Sequence, residues 1–302
     1  MGSVFKVAEE QIRVDGHFPR VARLVADGYE FLSDPEPVLA GLRQSAQRVY
    51  LFTFTQGLMD TTPKYRYPME WDNFAALPVS TFENWWNKQI KSYPRNRARQ
   101  AEKKGVTLRE VPFDDALVQG IWRLYNECPV RRGAPFSHYG KNIETVRKEE
   151  ATFLDTSVFI GAFLDSQLIG FIKLTWDQHR TQANLMNILS MMQHRDKAPT
   201  NALISYAVRA CADRNIHYLA YQKFSYGKKE PDSLSHFKEI NGFERIQVPR
   251  YYVPITTIGR AALRLGLHHK FSHHLPESFM AKLREARGAW YNRSLKSAKE
   301  PS

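Results

Sequence analysis

A chain of 302 residues, 43% hydrophobic and 25% charged, has the make-up of an ordinary soluble globular protein with room for one large domain or two small ones. No apolar run approaches the roughly 20 residues of a membrane helix, the amino terminus lacks a signal-peptide core, and Gly2 is followed by Lys6 where a myristoylation motif wants Ser or Thr. Cys128 and Cys211 are too few for a disulfide framework or a cysteine zinc site, so the expected setting is a reducing cytoplasm. The formal charge of +12 is unevenly spread: residues 91–105 carry six basic residues and one acid, and residues 258–302 carry nine and three. Charge confined in this way suits a surface for polyanions, or else a solvated helix face and a basic tail.

In chain order, Asp34 and Pro35 open a helix over DPEPVLAGLRQSAQR, and RVYLFTFTQG alternates as a strand ending at Gly57. DTTPKYRYPMEWDNFAALP reads as an irregular stretch, too apolar for a disordered linker, that packs or lines a groove. Ser80 and Glu83 have capping-box spacing at the head of a helix whose buried face is Phe82, Trp85 and Trp86. From Val106 the pattern becomes regular. VTLREV is a strand, followed by a helix capped by Asp114 or Asp115 with Leu117, Ile121, Leu124 and Tyr125 along one face, and by a charged helix, IETVRKEEATFL. SVFIGAFLDSQLIGFIKLTW is a strand pair turning at Asp165–Ser166, and QANLMNILSMM is a third strand. The next helix buries Leu203, Ile204, Ala207, Val208 and Cys211 and stops at Asn215. Strand HYLAYQKF, short helix DSLSHFKEIN and strand FERIQVPRYYV follow, and two amphipathic basic helices, GRAALRLGLHHKF and PESFMAKLREARGAWYNRSL, end the chain. The expected organisation is an N-terminal α/β region over 1–105 that closes in a basic helix, a main domain over 106–255, and a basic helical tail over 256–302.

Several chemistries lack their motifs: there is no G-x-S-x-G, no P-loop and no G-x-G-x-x-G. HHKFSHH spaces His269 and His273 four apart, but no carboxylate near in sequence completes a ligand set, so no metal is expected. Cys128 lies beside Arg131 and Arg132 without a neighbouring histidine, and both cysteines read as small buried hydrophobes rather than nucleophiles.

From Val106 to Pro254 the order strand, helix, helix, antiparallel pair, strand, helix, strand, helix, strand resembles the Gcn5-related N-acetyltransferase (GNAT) superfamily, with FIGAFLDSQLIGFIKL, the helix after NILSMM, and HFKEINGFE in matching places. The resemblance implies a mixed, mainly antiparallel sheet flanked by helices, and an acyl-CoA held by a glycine-rich loop at the head of the helix after NILSMM. Here that loop is HRDKAPTN, with no glycine, a proline, and the cations Arg195 and Lys197. The family also commonly has a tyrosine four residues before its Gly-Phe, where this chain has Lys238. Both departures, and the basic helix RNRARQAEKKG before the first strand, look like the FemABX-type branch, which takes amino acids from aminoacyl-tRNA to extend peptidoglycan precursors.

The resemblance therefore implies transfer of an acyl or aminoacyl group from acyl-CoA or aminoacyl-tRNA to an amine or peptide-like acceptor. The donor side falls on Ile188, Ser190, Arg195, Lys197, Thr200 and Asn201, with an oxyanion meeting backbone N–H groups near Ile188–Ser190. Lys238 and Tyr226 are candidates for charge stabilisation or proton delivery, against the plainer reading of a solvated lysine and a strand-end aromatic. The loop VRRGAPFSHYGKN offers Arg131, Arg132, Tyr139 and Lys141 to an acceptor. Arg95, Arg97, Arg99, Lys103 and Lys104 form the expected nucleic-acid surface, with Arg95 and Arg99 on one helix face. The alternative is a non-catalytic nucleic-acid-binding protein on a GNAT-like scaffold.

Overall fold

The computed structural model describes residues 3–58, 60–131, 134–225 and 233–269. The first elements are β1 (Ser3–Val7), β2 (Glu10–Asp15), β3 (Val21–Leu24), α1 (Glu36–Gln44), β4 (Leu51–Thr55), β5 (Met69–Pro78) and the single turn α2 (Phe82–Asn84), which runs into a π-turn over Trp85–Gln89. Next come α3 (Ser92–Lys103), β6 (Val106–Val111), α4 (Asp115–Tyr125), the two-residue strands β7 (Val130–Arg131) and β8 (Ala134–Pro135), and α5 (Ile143–Glu150). The remainder is β9 (Ser157–Leu164), β10 (Gln167–Trp176), β11 (Gln182–Ser190), α6 (Pro199–Asp213), β12 (Tyr218–Lys223), α7 (Ser233–Ile240), β13 (Glu244–Pro254) and α8 (Thr257–Arg264). The result is the expected mixed α/β fold. Strands β1–β2, β2–β3, β4–β13, β13–β5, β6–β9, β9–β10 and β10–β11 pair antiparallel, while β3–β4 is parallel.

The chain divides into two compact units. One holds the chain up to Ala76, Ala220–Lys238 and the described chain from Phe243; the other holds Leu77–Leu219 and Glu239–Gly242. The boundary expected at residue 105 thus falls inside the second unit, and α8 of the expected tail falls in the first. The final basic helix, PESFMAKLREARGAWYNRSL, lies outside the described residues.

In the second unit the strand order is β11-β10-β9-β6. Helix α4, capped by Asp114 through Leu117 N–H, buries Leu117, Val118, Ile121, Leu124 and Tyr125. Gly120 lets it lie close on the sheet, since a Cβ there would stand 2.6 Å from Leu168. Tyr125 reaches Phe171 of β10 on this face, whereas Leu203 of α6 packs at Gly170, so α4 and α6 cover opposite faces. Helix α6 buries the expected Leu203, Ile204, Ala207, Val208 and Cys211, and Asn215 ends it at φ +55°. Burial pushes the Cys211 thiol up to about 12, as an inert core group; Cys128 is half-buried.

In the first unit the order is β1-β2-β3-β4-β13-β5-β12, over a core that includes Ile12, Leu39, Leu42, Phe52, Phe54 and Tyr251. Three expectations are corrected. DTTPKYRYPMEWDNFAALP contains the ten-residue strand β5, drawn into the sheet by the buried run Phe74–Leu77 and by pairing with β13. Thr81, not Ser80, caps α2 by accepting from Asn84 N–H. Of the three aromatics that follow, only Trp85 is fully buried, its indole donating to the Asn241 carbonyl at 2.9 Å; Phe82 and Trp86 are half-buried.

Lys173 on β10 is 1% exposed, its ammonium donating to the carbonyls of Glu150 (2.7 Å) and Thr152 (2.6 Å). Burial, partly countered by the Glu150 carboxylate, lowers its pKa from 10.5 to about 8. The folded protein therefore binds this proton less tightly than the unfolded chain. The cost of the buried cation is fully present below pH 8 and is relieved as pH rises from 8 to 10.5. Urea unfolding across that window is expected to show stability rising by about 1 to 3 kcal/mol relative to Lys173→Met. Parallel pH profiles would remove Lys173 from this role.

Candidate active site

The head of α6 is built without glycine. Ala198 takes the N-cap in the left-handed region (φ +54°), Pro199 occupies the first helical position, and the preceding turn, Arg195–Lys197, is a 3-10 segment. This geometry turns the loop's donors inward. Arg195, Lys197 and Ala198 N–H bond to Met192, His194 and Arg195 carbonyls, while Asn201 and Ala202 N–H share the Ala198 carbonyl. Two further donors ahead of the turn, Met192 and Gln193 N–H, meet an anion supplied by the chain itself. Glu127 accepts from Met192 N–H at 2.8 Å and Gln193 N–H at 2.9 Å, and from Arg131 at 2.9 Å.

Arg131 completes this clamp by donating to Ser190 O (2.8 Å) and Leu124 O (3.0 Å) while lying over Phe136, so both its terminal nitrogens are engaged inside the protein. The Ser190 hydroxyl sits 2.7 Å from that of Thr200, joining the end of β11 to the first turn of α6. Met191 N–H donates to Ile169 O. With Leu189 opposite Phe171, antiparallel alternation turns the N–H groups of Ile188 and Ser190 away from β10.

The basic helix α3 docks on the same loop. Arg97 donates to the Arg195 carbonyl at 2.9 Å, and Lys104 meets both the carbonyl (3.2 Å) and the carboxylate (3.1 Å) of Asp196. Two sets of residues expected in separate roles are thereby brought together: Arg97 and Lys104 from the α3 segment, and Arg195 and Lys197 from the loop, with Asp196 among them, while Lys103 stays exposed on α3. Lys104, Lys197 and above all its hydrogen bond to Lys104 hold the Asp196 carboxyl below its ordinary range. Arg95 and Arg99 do share a face, but it is turned to Trp86: Arg95 donates to the Trp86 carbonyl at 2.9 Å and Arg99 lies 5.5 Å over its ring.

On the opposite face of β11, Asn187 donates to Tyr125 Oη (2.6 Å) and Glu150 Oε1 (3.0 Å), and Tyr125 donates to that same carboxylate oxygen at 2.7 Å. His138 stacks on Tyr125 with ring centroids 4.2 Å apart, and its Nδ1 lies 3.2 Å from the Lys141 ammonium, which also pairs with Glu149. Burial first, then Lys141, lowers the His138 pKa. A neutral ring that accepts at Nδ1 carries its proton on Nε2, which makes His138 a hydrogen-bond donor. Tyr139 stands 47% exposed beside it. Arg132 and Tyr226 lie outside the described residues.

Lys238, four residues before Gly242, is fully buried rather than solvated. Its ammonium donates to the Lys223 carbonyl at 2.5 Å and lies over the Tyr221 ring at 4.7 Å. The plainer reading of Lys238 as a solvated lysine is overturned by this packing, and Gly242, at φ +89°, makes the turn into β13. The Glu127, Glu150, Asn187 and His138 roles went unread in the sequence. Only the i,i+4 spacing of Glu127 and Arg131, and the two asparagines in an otherwise mainly apolar strand, pointed to them.

The order from β6 to β13 and the packing of α6 against β9–β11 give a mixed α/β fold that solved structures share. FemX is similar in fold, at 11% identity over 82% of this chain and 87% of that one with TM-score 0.53. L-PGS from Bacillus licheniformis is similar at 12% identity over 83% of each chain (TM-score 0.58). So is the C-terminal domain of a protein assigned as a lysylphosphatidylglycerol synthetase from Agrobacterium fabrum, at 10% over 87% of each (TM-score 0.57). No protein-family model and no curated protein matches the sequence. Among the described residues, no helix is long and apolar enough to cross a membrane.

Proposed function

We propose that the protein is an aminoacyltransferase that moves an amino acid from an aminoacyl-tRNA to an amine acceptor. One observation carries the choice of donor: seven of the ten amides from Met192 to Ala202 are bonded within the loop or to Glu127, and the loop presents cationic side chains as well. A pyrophosphate held by helix-end amides needs those amides free. A polynucleotide needs cations spread along a surface, and Arg97, Lys103, Lys104, Arg195 and Lys197 supply them. The fold is one used for acyl and aminoacyl transfer, which supports an enzyme of this general kind.

In this reading a neutral amine attacks the ester carbonyl of the charged tRNA. The oxyanion is received by the N–H groups of Ile188 and Ser190, the amide bond forms, and the carbon–oxygen bond to the ribose breaks. The ribose oxygen takes up the proton that the amine loses. The acceptor lies along the loop from Arg131 to Lys141, where Tyr139 and the Nε2–H of His138 offer contacts and Arg131 positions the strand end rather than touching the ligand. Lys238, held on Lys223, supports its own turn and gives no proton.

Incubating the purified protein with an amine acceptor and either charged tRNAs or a series of acyl-CoAs, with mass change of the acceptor as the readout, tests the donor. A gain of one aminoacyl residue from charged tRNA alone is the expected result. Acyl transfer from CoA would overturn the donor assignment, and tight RNA binding with no transfer from either would favour the non-catalytic nucleic-acid-binding alternative.

A further inference from the structure

We propose that Glu70, His268 and His269 form a binding site for a divalent transition metal ion of the zinc class. The three residues offer one ligand atom each, all within 4.8 Å of one another. His268 Nε2 and His269 Nε2 both lie 3.0 Å from the same carboxylate oxygen of Glu70. A tetrahedral ion with bonds of about 2.0–2.2 Å holds its ligand atoms about 3.3–3.5 Å apart. Each nitrogen–oxygen pair therefore opens by a few tenths of an ångström, and the two nitrogens, within 4.8 Å of each other, take the same spacing by small rotations of the rings. Two imidazoles and one carboxylate are a borderline ligand set that suits zinc, cobalt or nickel better than calcium or magnesium, which prefer oxygen throughout.

Adjacent residues on an extended chain point to opposite sides, so two neighbouring histidines converge only where the backbone is forced to turn. Here the end of α8 forces it. Gly266 takes φ +68°, its N–H bonds to Leu263 O, and Leu267 N–H bonds to Ala262 O at 2.9 Å: together these make a Schellman stop. The turn delivers both rings to one place, their centroids 4.0 Å apart, with His268 set edge-on against Tyr252 of β13. Glu70 comes from the neighbouring strand, opposite Arg250 in the β5–β13 register. The site thus joins two sheet strands to the segment after α8. The His268 side chain is 4% exposed while those of His269 and Glu70 are 29% and 42% exposed, which leaves a fourth coordination position to water or a ligand.

The test uses the full-length protein without a histidine tag and cobalt(II) as the probe, followed by its visible absorption and by the metal retained after gel filtration. One equivalent of cobalt with the intense absorption of a tetrahedral site is expected, displaced by zinc. Glu70→Gln and His269→Gln should each weaken binding by more than the 10- to 100-fold that outer-shell changes cost, with circular dichroism unchanged. No retained cobalt would overturn the proposal. So would stoichiometric binding that is equal in wild type and both variants, because the ion would then be held elsewhere, as by the histidines at 273 and 274.

Discussion

Glu127→Gln is expected to lower kcat/KM for aminoacyl transfer by about 100-fold, the scale of a misplacement of about 1 Å in a reacting group. The carboxylate is the shared acceptor for Met192 N–H, Gln193 N–H and Arg131, and its side chain is 14% exposed. A glutamine has one carbonyl oxygen to offer, and its NH2 group must face at least one of the donors. Turned to the part-buried Arg131, that group orphans a donor at a cost of about 1–3 kcal/mol; turned to Met192 or Gln193, it pushes their amides off the side chain, and in either case the loop moves. That loop follows directly from Ser190, whose carbonyl is tied to Arg131 and whose hydroxyl is tied to Thr200. The disturbance is therefore delivered to the N–H groups of Ile188 and Ser190, and to the head of α6. Glu127→Asp retains the charge with a shorter reach and should recover part of the rate, which separates charge from shape. Steady-state kinetics alongside thermal unfolding decides the matter. A Gln variant with full activity and lowered Tm would show that Glu127 stabilises the loop without positioning the strand.

How much of this was open to reading from residues alone differs by region. Between Val106 and Pro254 periodicity and punctuation agree. Asp114 caps α4, Asp165 turns the β9–β10 pair at φ +49°, and Asn215 stops α6 in the left-handed region, so the elements lie where the pattern puts them. Earlier in the chain the signals conflict. Strands β1 and β2 are short and carry Lys6, Glu10, Gln11 and Arg13, so their alternation has little contrast. β5 is preceded by prolines and tyrosines that read as loop, and it becomes a strand because β13, almost 180 residues later, supplies its partner. The site had the same difficulty. Arg195 and Lys197 are visible as cations in a loop without glycine, but the anion that fills the loop comes from the end of α4, more than 60 residues upstream. Lys238 could be placed by its distance from Gly242, yet nothing local says that its ammonium is sealed under Tyr221. Spacing reports which residues share an element; only tertiary pairing reports whether a charged group is free to act.

That distinction sets the second large effect. Reversing three cations that the fold does not consume, as Lys103→Glu, Arg195→Glu and Lys197→Glu, is expected to weaken tRNA binding about 100-fold or more near physiological salt. It should also flatten the slope of log affinity against log salt by about two to three, for a little under one counterion per lost phosphate contact. Lys103 and Arg195 are exposed and Lys197 has only a 3.5 Å approach to Asp196, so the side chains are available to a ligand. Surface ion pairs of this kind are worth little to stability, with a median near 0–1 kcal/mol, and Tm should move by a degree or two. Arg95 and Arg99 provide the contrast. They were expected to grip one stretch of backbone from one helix face, but both are engaged with Trp86, one through its carbonyl and one over its ring. Neutralising them should lower stability and leave the salt slope close to that of wild type. If Arg95→Gln with Arg99→Gln flattened the slope while the triple reversal did not, the polyanion would have to lie along the Trp86 side of α3. The cluster at the head of α6 would then be a structural feature of the loop, and the argument for a tRNA donor would lose its main support.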